Sequence, residues 1–105
     1  VSFSQQNREC GDVARCSPSL GARLFTRQYH IDCAVVSDLQ AVDASLRFLD
    51  DHRIMVEPAC GASLAAIYEN LEQIHGWVNI VVIVCGGITS TLHQLEAWKH
   101  DLSNK

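Results

Sequence analysis

Residues Val78-Asn79-Ile80-Val81-Val82-Ile83-Val84 form an almost wholly apolar, mostly β-branched run that stops at Cys85-Gly86-Gly87. The run is far too short for a membrane span, and branching at Cβ favours extended backbone. Because it is continuously apolar rather than alternating, it predicts a strand buried on both faces, as in the middle of a parallel sheet. Ligands of open α/β sheets bind beyond the carboxyl ends of such strands. Cys85, Gly86 and Gly87 are therefore a candidate site.

The preceding residues read as β-α units. Cys33-Ala34-Val35-Val36 predicts a short extended piece. Ser37 or Asp38 then caps a helix that carries Leu39, Val42, Leu46 and Leu49 at helical spacing, with Gln40, Asp43, Arg47 and Asp50 opposite. Asp51-His52-Arg53 breaks the pattern, Ile54-Met55-Val56 predicts a second strand, and Glu57-Pro58 ends it where Pro suits a first helical turn. The small residues from Ala59 to Ala66 predict a closely packed helix continuing to Ile74 and stopping near His75-Gly76. After Gly87, Thr89 or Ser90 is expected to cap a last helix with Leu92, Leu95, Trp98 and Leu102 on one face. The first 30 residues show no clear periodicity beyond a helix end near Asp12 to Cys16.

Composition narrows the partners. The 105 residues carry a net charge of -4, and the eight basic residues are scattered, which argues against a nucleic-acid surface. Neither a leader pattern nor an 18-residue apolar stretch is present, so the expectation is a cytoplasmic protein without membrane association. Five cysteines, at 10, 16, 33, 60 and 85, form no CxxC pair and read as free thiols in a reducing compartment rather than a zinc site or a disulfide framework. The five histidines have no ligand or triad partner at useful spacing, so no metal site is expected. Met55, Trp77 and Trp98 read as packing residues. A chain that opens on Val1 is expected to be a piece of a longer polypeptide.

The motif Val56-Glu57-Pro58-Ala59-Cys60-Gly61-Ala62, followed by Val81-Val82-Ile83-Val84-Cys85-Gly86-Gly87, resembles the C-terminal part of the animal-type L-serine dehydratases. These are pyridoxal-phosphate enzymes of the tryptophan synthase β-like fold. The resemblance extends over Val35 to Asp51 and Leu92 to Leu102, and more faintly over Val13-Ala14-Arg15 and Gly21-Ala22. It implies an α/β, three-layer architecture: a partial parallel sheet with helices on both faces, the C-terminal part of the large domain. Residues 1–105 would then be a single partial domain, ill-defined over 1–20.

What the resemblance implies for the site is specific. Cys85 would approach the pyridine nitrogen of pyridoxal 5'-phosphate as a neutral partner, leaving the ring a weaker electron sink that still suffices for loss of a β-hydroxyl. Gly86 and Gly87 would let backbone come close to the ring edge; read without the family, they are a plain strand-to-helix turn. Glu57 would order the cofactor-bearing face, or alternatively cap the following helix through its dipole. Cys60 and Gly61 read as small residues at a close packing contact.

The reaction implied is conversion of L-serine or L-threonine to a 2-oxo acid and ammonia, in amino-acid metabolism and gluconeogenesis, by a full-length homodimer acting on a small amino-acid substrate. The family's Schiff-base lysine and glycine-rich phosphate loop have no counterpart here: the only lysines are Lys99 and Lys105, and neither has the flanking residues. No catalytic residue is therefore assigned to this chain. A Ser or Asn usually follows the Gly-Gly pair within two residues, whereas here Ile88-Thr89 follows. The link between the Glu-Pro-Ala helix and the last strand is short, and Arg15 to Leu20 is altered where the family binds a monovalent cation, so that site is not carried over. The alternative is a stand-alone, non-catalytic or degenerate paralogue.

Overall fold

The computed structural model describes residues 28–29 and 34–104. Contacts divide the chain into Val1–Cys33 and Ala34–Lys105. The expectations placed on residues 1–27 and 30–33, including Cys10, Cys16 and Cys33, fall outside the described residues.

Three helices follow in order: α1 (Asp38–His52), α2 (Pro58–Tyr68) and α3 (Leu92–Ser103), with a 3-10 turn at Glu72–Ile74. Each boundary has a local cause. Ser37 caps α1 in a reciprocal box: its Oγ accepts from the Gln40 amide at 3.2 Å, while Gln40 Oε1 accepts from the Ser37 amide at 2.8 Å. Arg53 ends α1 in the left-handed region at φ 60°, its N–H donating to the Leu49 carbonyl at 2.9 Å. Pro58 opens α2 at a position that needs no amide donor.

Helix α2 is shorter than the expected Ala59-to-Ile74 span. Asn70 takes φ 49°, the Asn70 amide donates to the Ile67 carbonyl at 3.1 Å and the Leu71 amide to Ala66 at 3.0 Å. That is a Schellman stop with Asn in the role usually taken by Gly, so the chain turns before the periodicity runs out. The cap of α3 also differs: Thr91, not Thr89 or Ser90, accepts from the Gln94 amide at 3.3 Å, and Gln94 answers with its own side chain.

The core gathers where α1 and α2 cross. Ala44, Val56, Cys60, Leu64 and Ala65 form the buried cluster, with Val36, Phe48, Tyr68 and Val82 packed against it. A Cβ at Gly61 would overlap the Ala41 carbonyl and the Ser45 hydroxyl, so the absence of a side chain there sets how closely the helices approach. This shifts the buried stripe of α1 onto Ala41, Val42, Ala44 and Ser45, while Leu39, Leu46 and Leu49 are only partly buried. The buried Ser45 hydroxyl donates to the Ala41 carbonyl at 3.0 Å, so no polar group is stranded. Helix α3 lies against α1 through the fully buried Leu95 and the Lys99–Asp43 ion pair at 2.6 Å.

The expected sheet is not formed among the described residues, where none of the three apolar runs is assigned as a strand. Nor is residues 78–84 buried on both faces. Val82 meets the core, but Val78 is 93% exposed, Val81 91% and Ile83 78%. A strand acquires its regular form from neighbours on either side, and none is assigned among the described residues. Trp77 is likewise exposed rather than packed.

Candidate functional site

The end of the 78–84 run is fixed by two contacts from the α2 entry. Cys60, in the first turn of α2, accepts the Cys85 N–H on its sulfur at 3.4 Å, and lies 4.0 Å from the Ile83 carbonyl. Two residues on, the Gly87 N–H donates to Glu57 Oε1 at 3.1 Å. Cys85, Gly86 and Gly87 are thus held against Glu57 and Cys60, and the four site residues expected from the sequence share one neighbourhood.

The glycines are required by geometry. Gly86 sits at φ +79°, with its missing Cβ position 3.0 Å from Glu57 Cδ. Gly87 sits at φ +129°, and a Cβ there would overlap the Met55 carbonyl. Both conformations disfavour residues with side chains, and both positions are crowded by the 55–57 backbone or side chain. The double glycine is therefore a tight turn laid on the start of α2, which leaves the Cys85 thiol at an exposed rim.

Glu57 is the organising residue. It occupies the N-cap position of α2, yet its side chain makes no cap hydrogen bond; the carboxylate turns to the glycine loop instead. Its pKa lies below the usual carboxylate value, chiefly because the Gly87 amide donates to the ionised form, with Thr89 adding side-chain and backbone hydrogen bonds against a smaller desolvation effect.

Thr89 helps to lower the Glu57 pKa, a part that sequence reasoning missed. The sequence predicts Thr89 or Ser90 as the cap of α3, but Thr91 takes that position. The available signal was its hydroxyl within two residues of Gly87. The sequence reads Cys60 as packing alone, and it is buried at 3% exposure, but its sulfur also anchors the Cys85 amide.

The described cations are engaged elsewhere. Among the described residues every Lys and Arg is ion-paired: Lys99 with Asp43, Arg53 with Asp50 at 2.9 Å, and Arg47 with Asp51 at 4.0 Å, the Arg47 guanidinium also lying 4.3 Å from the Tyr68 ring centre. Burial and the hydrogen bond to Asp51 raise the Tyr68 phenol above its ordinary pKa. No group of three His, Cys, Asp or Glu suited to a metal occurs among the described residues. No helix among them is long and apolar enough to cross a membrane.

A sulfur-bearing rim beside a turn without side chains can receive the edge of a flat heteroaromatic ring. It offers a thiol at the edge and backbone beside it. The residues present thus fit the ring edge of pyridoxal phosphate.

Comparison with known proteins points the same way. A family described as "Pyridoxal-phosphate dependent enzyme" matches residues 5–86. The L-serine dehydratase/L-threonine deaminase of Bos taurus is 46% identical over 84 residues, covering 72% of this chain and 26% of that protein. A serine dehydratase-like protein of Mus musculus is 41% identical over 107 residues, covering 87% and 32%. The L-serine dehydratase of Dictyostelium discoideum is 43% identical over 75 residues, covering 68% and 21%. The chain thus spans 26% and 32% of the length of the first two of these relatives.

Proposed function

The chain belongs to the pyridoxal-phosphate dependent enzymes, and from that premise we propose that it is the cofactor-edge segment of an L-serine or L-threonine ammonia-lyase. The observation that carries the reading is the Glu57–Gly87 clasp, which holds the Cys85-Gly86-Gly87 turn in a defined shape beside an exposed thiol. Pyridoxal phosphate, when bound, supplies the electron sink for removal of the Cα proton and loss of the β-hydroxyl.

Within that reaction this chain's residues bind and orient. Cys85 would meet the ring edge with a thiol in place of a carboxylate, Gly86 and Gly87 would admit the ring beside bare backbone, and Glu57 would keep that turn from opening through its bond to Gly87. The cofactor-bearing lysine and the phosphate loop belong to a longer polypeptide, of which this chain is the C-terminal part. Lys99 is committed to Asp43, which supports looking elsewhere for the lysine. In the complete protein the exposed Val78, Val81 and Ile83 pack within a parallel sheet, and the functional form is a homodimer in the cytoplasm.

The test is the complete open reading frame and its product. A lysine and a glycine-rich phosphate loop upstream of Val1, with pyruvate formed from L-serine by the purified full-length protein, are the expected results. An open reading frame lacking both would overturn the enzyme reading in favour of a non-catalytic paralogue. The lack of a suitable lysine within these 105 residues is the observation on which that second reading rests.

A further inference from the structure

We propose that Cys60 and Cys85 form a peroxide-driven, reversible disulfide that removes the exposed thiol from the candidate site. The two are 25 residues apart in sequence, and no spacing motif pairs them; the fold does. Cys60 Sγ lies 3.4 Å from the Cys85 amide nitrogen. One further N–Cα bond puts it within about 5 Å of Cys85 Cα, and rotation about the Cys85 Cα–Cβ bond sweeps that residue's sulfur around the same centre. A disulfide needs its two sulfurs about 2.05 Å apart, so closing the bond asks for rotation of the Cys85 side chain toward Cys60 and an adjustment of the glycine turn.

The two thiols differ in access, which sets the order of events. Cys85 is exposed, whereas Cys60 is 3% exposed beneath the turn. Hydrogen peroxide meets Cys85 first: the sulfur attacks one peroxide oxygen, the O–O bond breaks, and Cys85 becomes a sulfenic acid with release of one water. The Cys60 sulfur then attacks the Cys85 sulfur, the S–O bond breaks, and the hydroxyl leaves with the Cys60 thiol proton as a second water. Two thiols lose one electron each, peroxide gains two, and a dithiol reductant reverses the change by exchange.

The chemistry rests on the two thiols alone. Its consequence, that the sulfur leaves the cofactor edge, rests on the function proposed above.

The test treats the purified chain with a small excess of hydrogen peroxide, blocks remaining thiols, and digests after glutamate without reduction. Cuts at Glu69 and Glu72 place Cys60 and Cys85 on separate peptides. Mass spectrometry is expected to find those two peptides joined, two hydrogens lighter than their sum, and separated again by dithiothreitol. The same treatment in urea is expected to scatter the pairing among all five cysteines. In Cys60→Ala, Cys85 is expected to be trapped by dimedone as the sulfenic acid. The proposal is overturned if native Cys85 pairs instead with Cys10, Cys16 or Cys33, advances to the sulfinic acid while Cys60 stays reduced, or remains a thiol. None of these results bears on whether the full-length protein turns over serine, so the two readings fail separately.

Discussion

Glu57 and Gly87 are joined across 30 residues of chain by one charge-assisted hydrogen bond, 3.1 Å from the Gly87 amide to the carboxylate. The bond ties the start of α2 to the end of the apolar run, and it makes the turn sensitive to pH. Because the bond favours the ionised carboxyl, the folded pKa lies below the unfolded one. The stabilisation is therefore present above the ordinary glutamate value of about 4.3 and lost as pH falls through the folded value. Urea midpoints measured down to about pH 3 should fall more steeply for the native chain than for Glu57→Gln. Parallel profiles would show that Glu57 does not hold the turn.

Thr89 contributes to lowering the Glu57 pKa, so its removal should be visible at Glu57. In Thr89→Val the hydroxyl contribution is lost while the Gly87 amide remains. The Glu57 carboxyl should then titrate closer to its ordinary value in an NMR titration, without reaching it. An unchanged titration would place Thr89 outside the site.

The glycines separate backbone strain from crowding. Gly76 has φ +84° with open space around it, so Gly76→Ala should cost only the left-handed backbone penalty, about 1–2 kcal/mol. Gly87→Ala adds overlap with the Met55 carbonyl and should cost more, about 3 kcal/mol or above. Equal denaturation midpoints for the two variants would mean that the turn is not pressed against the 55–57 segment.

Gly61→Ala tests the helix crossing. Its new Cβ would meet the Ala41 carbonyl and the Ser45 hydroxyl, one of them backbone that cannot rotate away. Overpacking of this kind costs about 1–3 kcal/mol, and the backbone partner puts this site at the upper end. Thr91→Ala, which only uncaps α3, should cost about 1 kcal/mol and serves as the comparison.

The exposed run should make the isolated chain self-associate. Val78, Val81 and Ile83 all present apolar side chains to solvent. Sedimentation at increasing concentration should show association that Val78→Thr with Val81→Lys reduces. Equal behaviour of native and variant chains would place the sticky surface elsewhere.

The local elements were legible because their causes are local. Ser37 with Gln40, Pro58 at the first turn of α2, and Arg53 after the last turn of α1 are settled by residues within a few positions. That the glycine pair and Glu57 lie together was legible because the apolar run ends in Gly-Gly and the Glu-Pro pair opens the next helix. What was not legible depended on partners distant in sequence. Apolar content predicts that Val81 and Ile83 seek cover, but it does not supply the strands that would cover them. The same limit hid Thr89, whose hydroxyl looked equally suited to a helix cap until Thr91 proved to hold that position, and hid the second use of Cys60 as an acceptor for the Cys85 amide.

The Gly61 contact carries a kinetic consequence. Ser45 and Glu57, at the α1–α2 junction, are 12 residues apart, against 30 for Glu57 and Gly87. Loop closure grows costlier with the logarithm of length, and short-range contacts form early. The helix pair should therefore dock first and present Glu57 and Cys60 as a finished template, onto which the glycine turn anneals last. A ribosome releasing this segment would complete the cradle before the residues it is to hold have emerged.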